Sequence, residues 1–359
     1  VREILSDWGE EIIKIEVTGV KGKTTSVFML KEILIEDNPL ILSSLGALLY
    51  EDNKEIILKK DISITPANIK ETIDLAYKIA NPICKIADGV VESQNLRKYN
   101  SAIFESSLGA SGIGDVGVLL NIAEDYPIAK GKSSASKAKK QVFRCNTVVC
   151  EKEAYDTYYS DVEHNKVNTF SLNDKSSNLY LENVEYSLDE TTMNIAFKDV
   201  KTINDNILSG KITLKAFAPG KHNVSNVLGA VLTALSLEIP QDKIIRGIEN
   251  FKGIPGRTNK KQMENSTIIE EINPGINTKA IEESINMVSS LDDYIVAIGG
   301  DYGITCEEID EDKVSEFLDS LDIEVILTGD VGLSISNKMS KDCPVIEDYN
   351  KVYDIAVNR

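Results

Sequence analysis

The sequence predicts an α/β protein in two parts: a central domain built on a parallel sheet with a phosphate-binding loop (P-loop), then a smaller Rossmann-like α/β domain. Three observations predict it. Strand-like apolar runs alternate with helix-period segments over most of the chain, the rhythm of parallel strands covered by helices on both faces. The first of these strands passes through a glycine turn directly into a helix, at Ile15-Glu16-Val17-Thr18-Gly19-Val20-Lys21-Gly22-Lys23-Thr24-Thr25. A break at Gly253-Ile254-Pro255-Gly256 separates a second, shorter series of strands and helices, since glycine and proline together punctuate regular structure. The expected domains are 1–253 and 254–359.

In order along the chain, Ile12–Val17 reads as a strand and Lys23–Ile35 as a helix. Leu40–Ser43, Ser101–Phe104 and Val116–Ile122 follow as buried strands, Ser134–Arg144 as helical and Asn146–Cys150 as a further strand. Between about Val167 and Phe217 the rhythm changes to short alternating stretches (Asn183–Leu188, Met193–Lys198, Lys211–Phe217), which suggests antiparallel strands. Helices return at His222–Leu237 and Gln241–Phe251. Beyond the break, Thr267–Ile272, Tyr294–Ile298 and Glu324–Leu327 read as strands with helices between them.

Composition narrows the function. The chain of 359 residues is 42% apolar, enough to bury a sizeable core, and its 57 acidic against 39 basic residues give a net charge of −18. That balance argues against nucleic acid as the main partner, while leaving room for a small pocket where a few cations and backbone amides meet a phosphate. Apolar runs fall far short of the ~18 residues of a membrane span, and no signal segment opens the chain. The five cysteines lack metal-ligand spacing and read as reduced core thiols. A cytoplasmic location without membrane attachment is expected. The start at Val1, next to the first buried strand, and the stop at Arg359 read as cut ends.

The strand–glycine turn–helix segment carries chemistry. Gly19 and Gly22 let backbone amides face a phosphate, and the helix N-terminus adds partial positive charge. Lys23 can reach the terminal phosphates of a nucleotide and the Thr24 hydroxyl is placed for Mg²⁺. Gly19, Gly22, Lys23, Thr24 and Thr25 therefore form the expected nucleotide-binding set, against the alternative of a purely structural turn.

The G-x-x-G-K-T-T spacing, shorter than the common P-loop, resembles the Mur ligase family of ATP-dependent ligases, and four further stretches agree in order. Ala102-Ile103-Phe104-Glu105-Ser106-Ser107 ends a strand in an acid and hydroxyls; the resemblance implies that Glu105 binds Mg²⁺ with Thr24, in place of a solvated or capping role. Asn121-Ile122-Ala123-Glu124-Asp125-Tyr126 and Ala138-Lys139-Lys140-Gln141-Val142-Phe143 are similar to two family elements. Tyr126 stands where many members carry a metal-binding histidine, which leaves a second Mg²⁺ without its usual ligand. Lys139 aligns best with the family's carbamylated lysine, with Lys137 and Lys140 close by. Gly220-Lys221-His222-Asn223-Val224-Ser225-Asn226 resembles the family's helix start, which implies an adenine contact for Asn223. His222 taken alone is either a general base or a packed residue at a helix start; with two histidines in the chain, a Ser-His-Asp hydrolase has little support. Phe251-Lys252-Gly253-Ile254-Pro255-Gly256-Arg257 matches the interdomain junction, implying that Arg257 contacts the nucleotide.

The resemblance implies an enzyme that uses ATP and Mg²⁺ to phosphorylate a carboxylate, with Lys23, Glu105 and Lys139 as catalytic residues. It departs from the peptide-forming members after the junction, where Glu270-Glu271-Ile272-Asn273-Pro274 replaces D-Y-A-H-[NT]-P, and the family's N-terminal domain is absent from this chain. Ser63-Ile64-Thr65-Pro66-Ala67-Asn68, Glu124–Gly131 and Ile272–Asn277 are instead similar to a methanogen subgroup, the coenzyme F430 synthetases. This implies a nickel seco-tetrapyrrole as the small-molecule carboxylate substrate and carbon–carbon ring closure as the outcome. Two other readings stay open: an amino-acid ligase for pseudomurein precursors or cofactor glutamylation, and a P-loop ATPase or switch that joins nothing. The glycine-rich stretch Leu108–Gly114 is a place for acceptor or phosphate, or a plain loop.

Overall fold

The structure is a computed structural model that describes residues 2–5, 8–9, 11–80, 84–86, 89–91, 99–123, 125–128, 132–263, 266–271, 278–289, 291, 293–302 and 310–357. Glu124, 129–131 and 272–277, singled out in the sequence, lie outside the described residues. The chain forms two compact units: Val1–Ala218 with His222–Phe251, and Pro219–Lys221 with Lys252–Arg359.

The first unit opens with β1 (Ile13–Thr18), α1 (Lys23–Ile33), β2 (Leu40–Ser43), β3 (Gly46–Glu51), β4 (Lys54–Lys59), α2 (Pro66–Ala80), β5 (Ser101–Glu105) and β6 (Val116–Leu119). It continues with α3 (Ala135–Lys139), β7 (Thr147–Glu151), α4 (Lys152–Tyr158), β8 (Val167–Ser171), β9 (Leu179–Glu185), β10 (Thr191–Lys201), β11 (Ile207–Ala216), α5 (Lys221–Ser236) and α6 (Gln241–Asn250). All eleven strands join one sheet, ordered β11-β10-β9-β8-β7-β6-β1-β5-β2-β3-β4. Neighbours from β2 through β9 are parallel, and antiparallel strands extend both edges.

The parallel centre is as the apolar runs predict. Its strands are buried on both faces, and their side chains divide by the two-residue period. Leu40, Leu42, Ala102 and Phe104 pack with Ile69, Ile73 and Ala76 of α2. Leu119, Val148 and Cys150 pack with Val142, Phe143 and Tyr159. Each large aliphatic or phenylalanine side chain among them contributes about 1.5–3 kcal/mol of burial. The other face takes α1, α5 and α6 at close range: a Cβ on Gly229 of α5 would lie 2.9 Å from Leu120, and one on Gly247 of α6 would lie 2.5 Å from the Ile33 backbone.

Some elements differ from expectation. The helix read over Ser134–Arg144 divides into α3 and a 3₁₀ turn at Lys140–Arg144. The strand read over Asn183–Leu188 lies earlier, at β9, because Ser187 turns the chain: its hydroxyl accepts from the Asp189 and Glu190 amides. The β3–β4 hairpin went unread; Asp52 and Asn53 take φ of +51° and +63° at its turn, the conformation that tight hairpins require.

In the second unit, β12 (Asn259–Gln262) and β13 (Thr267–Glu270) form an antiparallel hairpin. β14 (Ile295–Gly299) and β15 (Glu324–Thr328) form a parallel pair, with α7 (Thr278–Val288), α8 (Glu311–Ser320), α9 (Gly329–Ser336) and α10 (Tyr349–Val357) around it. Ile281, Ile285, Val314, Leu318, Val325, Leu327, Val331 and Ile335 form its core. Among the described residues, no helix is long and apolar enough to cross a membrane.

Candidate active site

In a parallel sheet, ligands collect at the carboxyl ends of strands where the connections reverse direction. Here that point is β1: α1 leads from it to β2 on one side, while the chain crosses from β5 past β1 to β6 on the other. The candidate residues of the first unit gather at this edge.

The P-loop leaves β1 at Thr18, whose hydroxyl donates to Ser106 O at 2.9 Å. Gly19 has φ +150° and its Cα faces Leu120 and the Asn121 amide; Gly22 has φ +81° and starts α1. Asn121 holds the loop from the end of β6. Its Oδ1 accepts from Lys21 N at 3.0 Å, its Nδ2 donates to Lys21 O at 3.1 Å, and its carbonyl accepts from Val20 N at 3.2 Å. Lys23 Nζ donates to Gly19 O and Val20 O, each at 3.1 Å, so its ammonium lies folded over the loop. Thr24 is buried and Thr25 half-buried in the first turn of α1.

Glu105, at the end of β5, is 1% exposed. Its two oxygens accept from Thr24 Oγ1, each at 3.1 Å, and Oε2 also accepts from Ser44 N at 3.0 Å. Ser44 Oγ lies 2.9 Å from Thr24 Oγ1. The sequence thus paired Thr24 with Glu105, and the structure brings them together; it did not mark Ser44, which arrives from the β2–β3 turn. A hydroxyl and a carboxylate are hard oxygen donors suited to Mg²⁺. Among the described residues no group of three or more His, Cys, Asp or Glu converges on a metal position.

Lys139 is 1% exposed and donates to Ser107 O at 2.8 Å, two residues beyond Glu105. Its ammonium lies 6.0 Å from the Tyr126 ring centroid, a cation–π distance. Asp125 ties this corner to α3: Oδ1 accepts from Ser136 N at 2.8 Å and Oδ2 from Ser136 Oγ at 2.7 Å. Tyr159, whose phenol burial holds protonated, donates to Ser136 O at 2.8 Å. Gly109, with φ +102°, presses its Cα against α3; a Cβ there would sit 2.2 Å from Ala138 O.

The rest of the glycine-rich stretch serves a residue that the sequence reading left unassigned. Glu16, fully buried in β1, accepts at Oε2 from Ser111 N (2.5 Å) and at Oε1 from the Gly112, Ile113 and Gly114 amides (2.8–3.0 Å). Cys145 Sγ donates to Oε1 at 3.7 Å, its thiol kept protonated by burial and by the Glu16 charge. The four amides therefore cradle an internal carboxylate, not a ligand. A signal was available: a carboxylate in an otherwise buried strand must find donors, and a glycine-rich loop supplies them.

Asn223 is buried in the first turn of α5, and Asn226, one turn on, rests against the P-loop. A Cβ on Gly22 would lie 2.1 Å from Asn226 Oδ1. Arg257 belongs to the second unit, half-buried on a turn in which its amide donates to Ile254 O at 2.9 Å. The two acids that follow are held within that unit. Glu270 accepts from Lys261 Nζ at 2.5 Å and Asn259 Nδ2 at 3.3 Å, and Glu271 accepts from Thr258 Oγ1.

Comparison with known proteins places this geometry. Residues 17–234 match the Mur ligase middle domain, and residues 260–359 match the C-terminal domain of coenzyme F430 synthetase CfbE. The chain is 27% identical to the coenzyme F(430) synthetase of Methanocaldococcus jannaschii, covering 94% of this chain and 70% of that protein. It is 23% identical to the one from Methanosarcina acetivorans, covering 89% and 68%. The fold is similar to MurF ligase from Thermotoga maritima, solved in complex with ADP (TM-score 0.66, 15% identity, 100% of this chain and 75% of that one). It is also similar to a pseudomurein peptide ligase type C from Methanothermus fervidus (TM-score 0.59, 17% identity, 98% and 70%). With the middle-domain match spanning more than half of its length, the chain belongs to the Mur ligase family and is an ATP-dependent ligase.

Proposed function

We propose that this ligase activates a propionate carboxylate of a nickel seco-tetrapyrrole as an acyl phosphate and closes the carbocyclic ring of coenzyme F430. The observation that carries the reading is the similarity to coenzyme F430 synthetases across both parts of the chain, the C-terminal match included. The sheet edge adds support: Leu45 and Leu108, 43% and 50% exposed, directly follow Ser44 and Ser107, so apolar surface borders the site where a macrocycle would present its carboxylate.

Thr24 Oγ1 and the Glu105 carboxylate would hold Mg²⁺, which when bound there neutralises charge on the β- and γ-phosphates. Lys23 exchanges Gly19 O and Val20 O for phosphate oxygens and follows the charge as the γ-phosphoryl group moves. The Gly19, Gly22 and Thr25 amides at the helix start share that work. Asn223 contacts the adenine, and Arg257 keeps the phosphate role that its motif implies. Lys139, whose ammonium donates to Ser107 O two residues beyond Glu105, would serve the acceptor. The substrate carboxylate attacks the γ-phosphorus and ADP leaves. A carbon of the same macrocycle, its proton passing to water, then attacks the acyl carbonyl, and phosphate leaves.

Phosphate release from ATP, measured with different acceptors, tests the reading. Release that requires only the nickel seco-tetrapyrrole acid, with ring closure seen in the product's absorption spectrum, is expected. Release that requires an added amino acid would replace ring closure by amide formation, and release independent of any acceptor would make the protein an ATPase.

A further inference from the structure

We propose that Glu16 is a positioning residue that sets Lys139 through the loop 107–114. Glu16 is fully buried and draws four consecutive amides, Ser111 to Gly114, onto one carboxylate. Such a nest of N–H groups ordinarily attracts an anion from outside; here the protein supplies its own. The glycines at the cradle leave no slack. A Cβ on Gly112 would lie 2.6 Å from Arg144 Cβ, and one on Gly114 would lie 2.9 Å from Val116 O.

The other end of this loop grips Lys139 twice. Ser107 O accepts the Lys139 ammonium, and Gly109 packs its Cα on the Ala138 carbonyl and the Lys139 Cα. Between the grips, Ser106 Oγ donates to Gly109 O at 2.6 Å, while Ser106 N donates to Val17 O, the residue after Glu16. The path from Glu16 to Lys139 is thus continuous in hydrogen bonds and glycine contacts, anchored on the strand that feeds the phosphate loop. A buried carboxylate held by backbone amides does not swing, so the loop, and with it the Lys139 carbonyl partner, has one arrangement.

The inference rests on the role given to Lys139 above, and its test separates the two. Glu16→Gln keeps an oxygen for Gly112, Ile113 and Gly114 but turns an NH₂ toward the Ser111 N–H, so the variant folds with the loop loosened at one point. Two readouts on the full chain decide the matter. The first is acylation of lysines by a small activated ester, followed by mass spectrometry. Lys139 labelling rises about ten-fold in Glu16→Gln while Lys23 labelling stays within about two-fold, as selective loosening demands. The second is turnover with ATP and the seco-tetrapyrrole acid: kcat falls about ten-fold, KM for ATP moves less than about two-fold, and Glu16→Gln/Lys139→Ala matches Lys139→Ala alone. A residue acting through another gives that non-additive pattern. Unchanged Lys139 labelling, or multiplicative losses in the double variant, would overturn the proposal. Full activity in Lys139→Ala would instead remove the role of Lys139, and absence of turnover with this acid would remove the acceptor; in both cases the labelling result still decides whether Glu16 positions Lys139.

Discussion

Glu16 and Glu105 lie on adjacent parallel strands, in register one step apart: Val17 pairs with Glu105 and Glu16 with Phe104. Both carboxylates are buried, at 0% and 1% exposure. Their donors are different in kind. Glu16 is ringed by four backbone amides, which cannot turn away without unmaking a loop, and by the Cys145 thiol. Glu105 accepts from the Thr24 hydroxyl at both oxygens, with the Ser44 amide beside it. A hydroxyl rotates, so Thr24 can give up its bonds and turn an oxygen lone pair to a cation beside Glu105. Burial alone does not mark a ligand; exchangeable donors do.

Substitution breaks the comparison at its widest point. Glu105→Ala removes the proposed metal ligand and should lower the rate of acceptor-dependent phosphate release by about 10³-fold or more, the scale of losing a main electrostatic contact to a transferring phosphoryl group. Its melting temperature should change by only a few degrees, because Thr24 and Ser44 can bond each other or water. Glu16→Ala should invert that ratio. It strands four buried amides, at about 1–3 kcal/mol for each one that water does not reach, so several kcal/mol of stability should go, measured as a shift in the urea midpoint. Equal stability losses in the two variants would mean that Glu105 is held as structurally as Glu16.

A third substitution acts where the P-loop meets α5. Gly22 has φ +81°, and a Cβ there would fall 2.1 Å from Asn226 Oδ1. Gly22→Ala therefore combines a left-handed backbone penalty of about 1 kcal/mol with displacement of Asn226. Nucleotide affinity, read with a fluorescent ATP analogue, should fall about ten-fold or more. Adding Asn226→Ala should restore part of it, because the clash, unlike the backbone penalty, is removed. No recovery in the double variant would place the whole cost in the backbone.

How much of this was legible in the sequence follows from how local each signal is. The P-loop is seven consecutive residues between a strand and a helix, and its reading needed no partner. The pairing of Thr24 with Glu105 spans 81 residues and became visible only because Glu105 closes a strand and sits in a family-like motif. Glu16 was passed over because nothing local names its donors: Lys14 and Glu16 are both buried in β1. Their partners, Asp115 for the Lys14 amide and 111–114 for Glu16, are about 100 residues away, and no periodicity reports them. Ser44 was missed because it lies in the β2–β3 turn and β3 was not read from the sequence, although the Asp52-Asn53 turn that ends β3 is a local signal.

The smallest expected effect lies at the rim beside Glu105. Leu108 is 50% exposed, one residue from the Ser107 carbonyl that receives Lys139. Replacing an exposed side chain usually changes stability by less than about 0.5 kcal/mol, so Leu108→Ser should melt with the unaltered protein. Covering half of a leucine with substrate is worth about 1 kcal/mol, so KM for the acceptor should rise about three- to ten-fold while KM for ATP stays fixed. This pattern sets the rim apart from both carboxylates: Glu105→Ala acts on phosphoryl transfer, Glu16→Ala on the fold and through its loop on Lys139, and Leu108→Ser on acceptor binding alone. An acceptor KM that does not move would put the macrocycle elsewhere on the chain, and a KM for ATP that moves with it would mean that Leu108 shapes the nucleotide site instead.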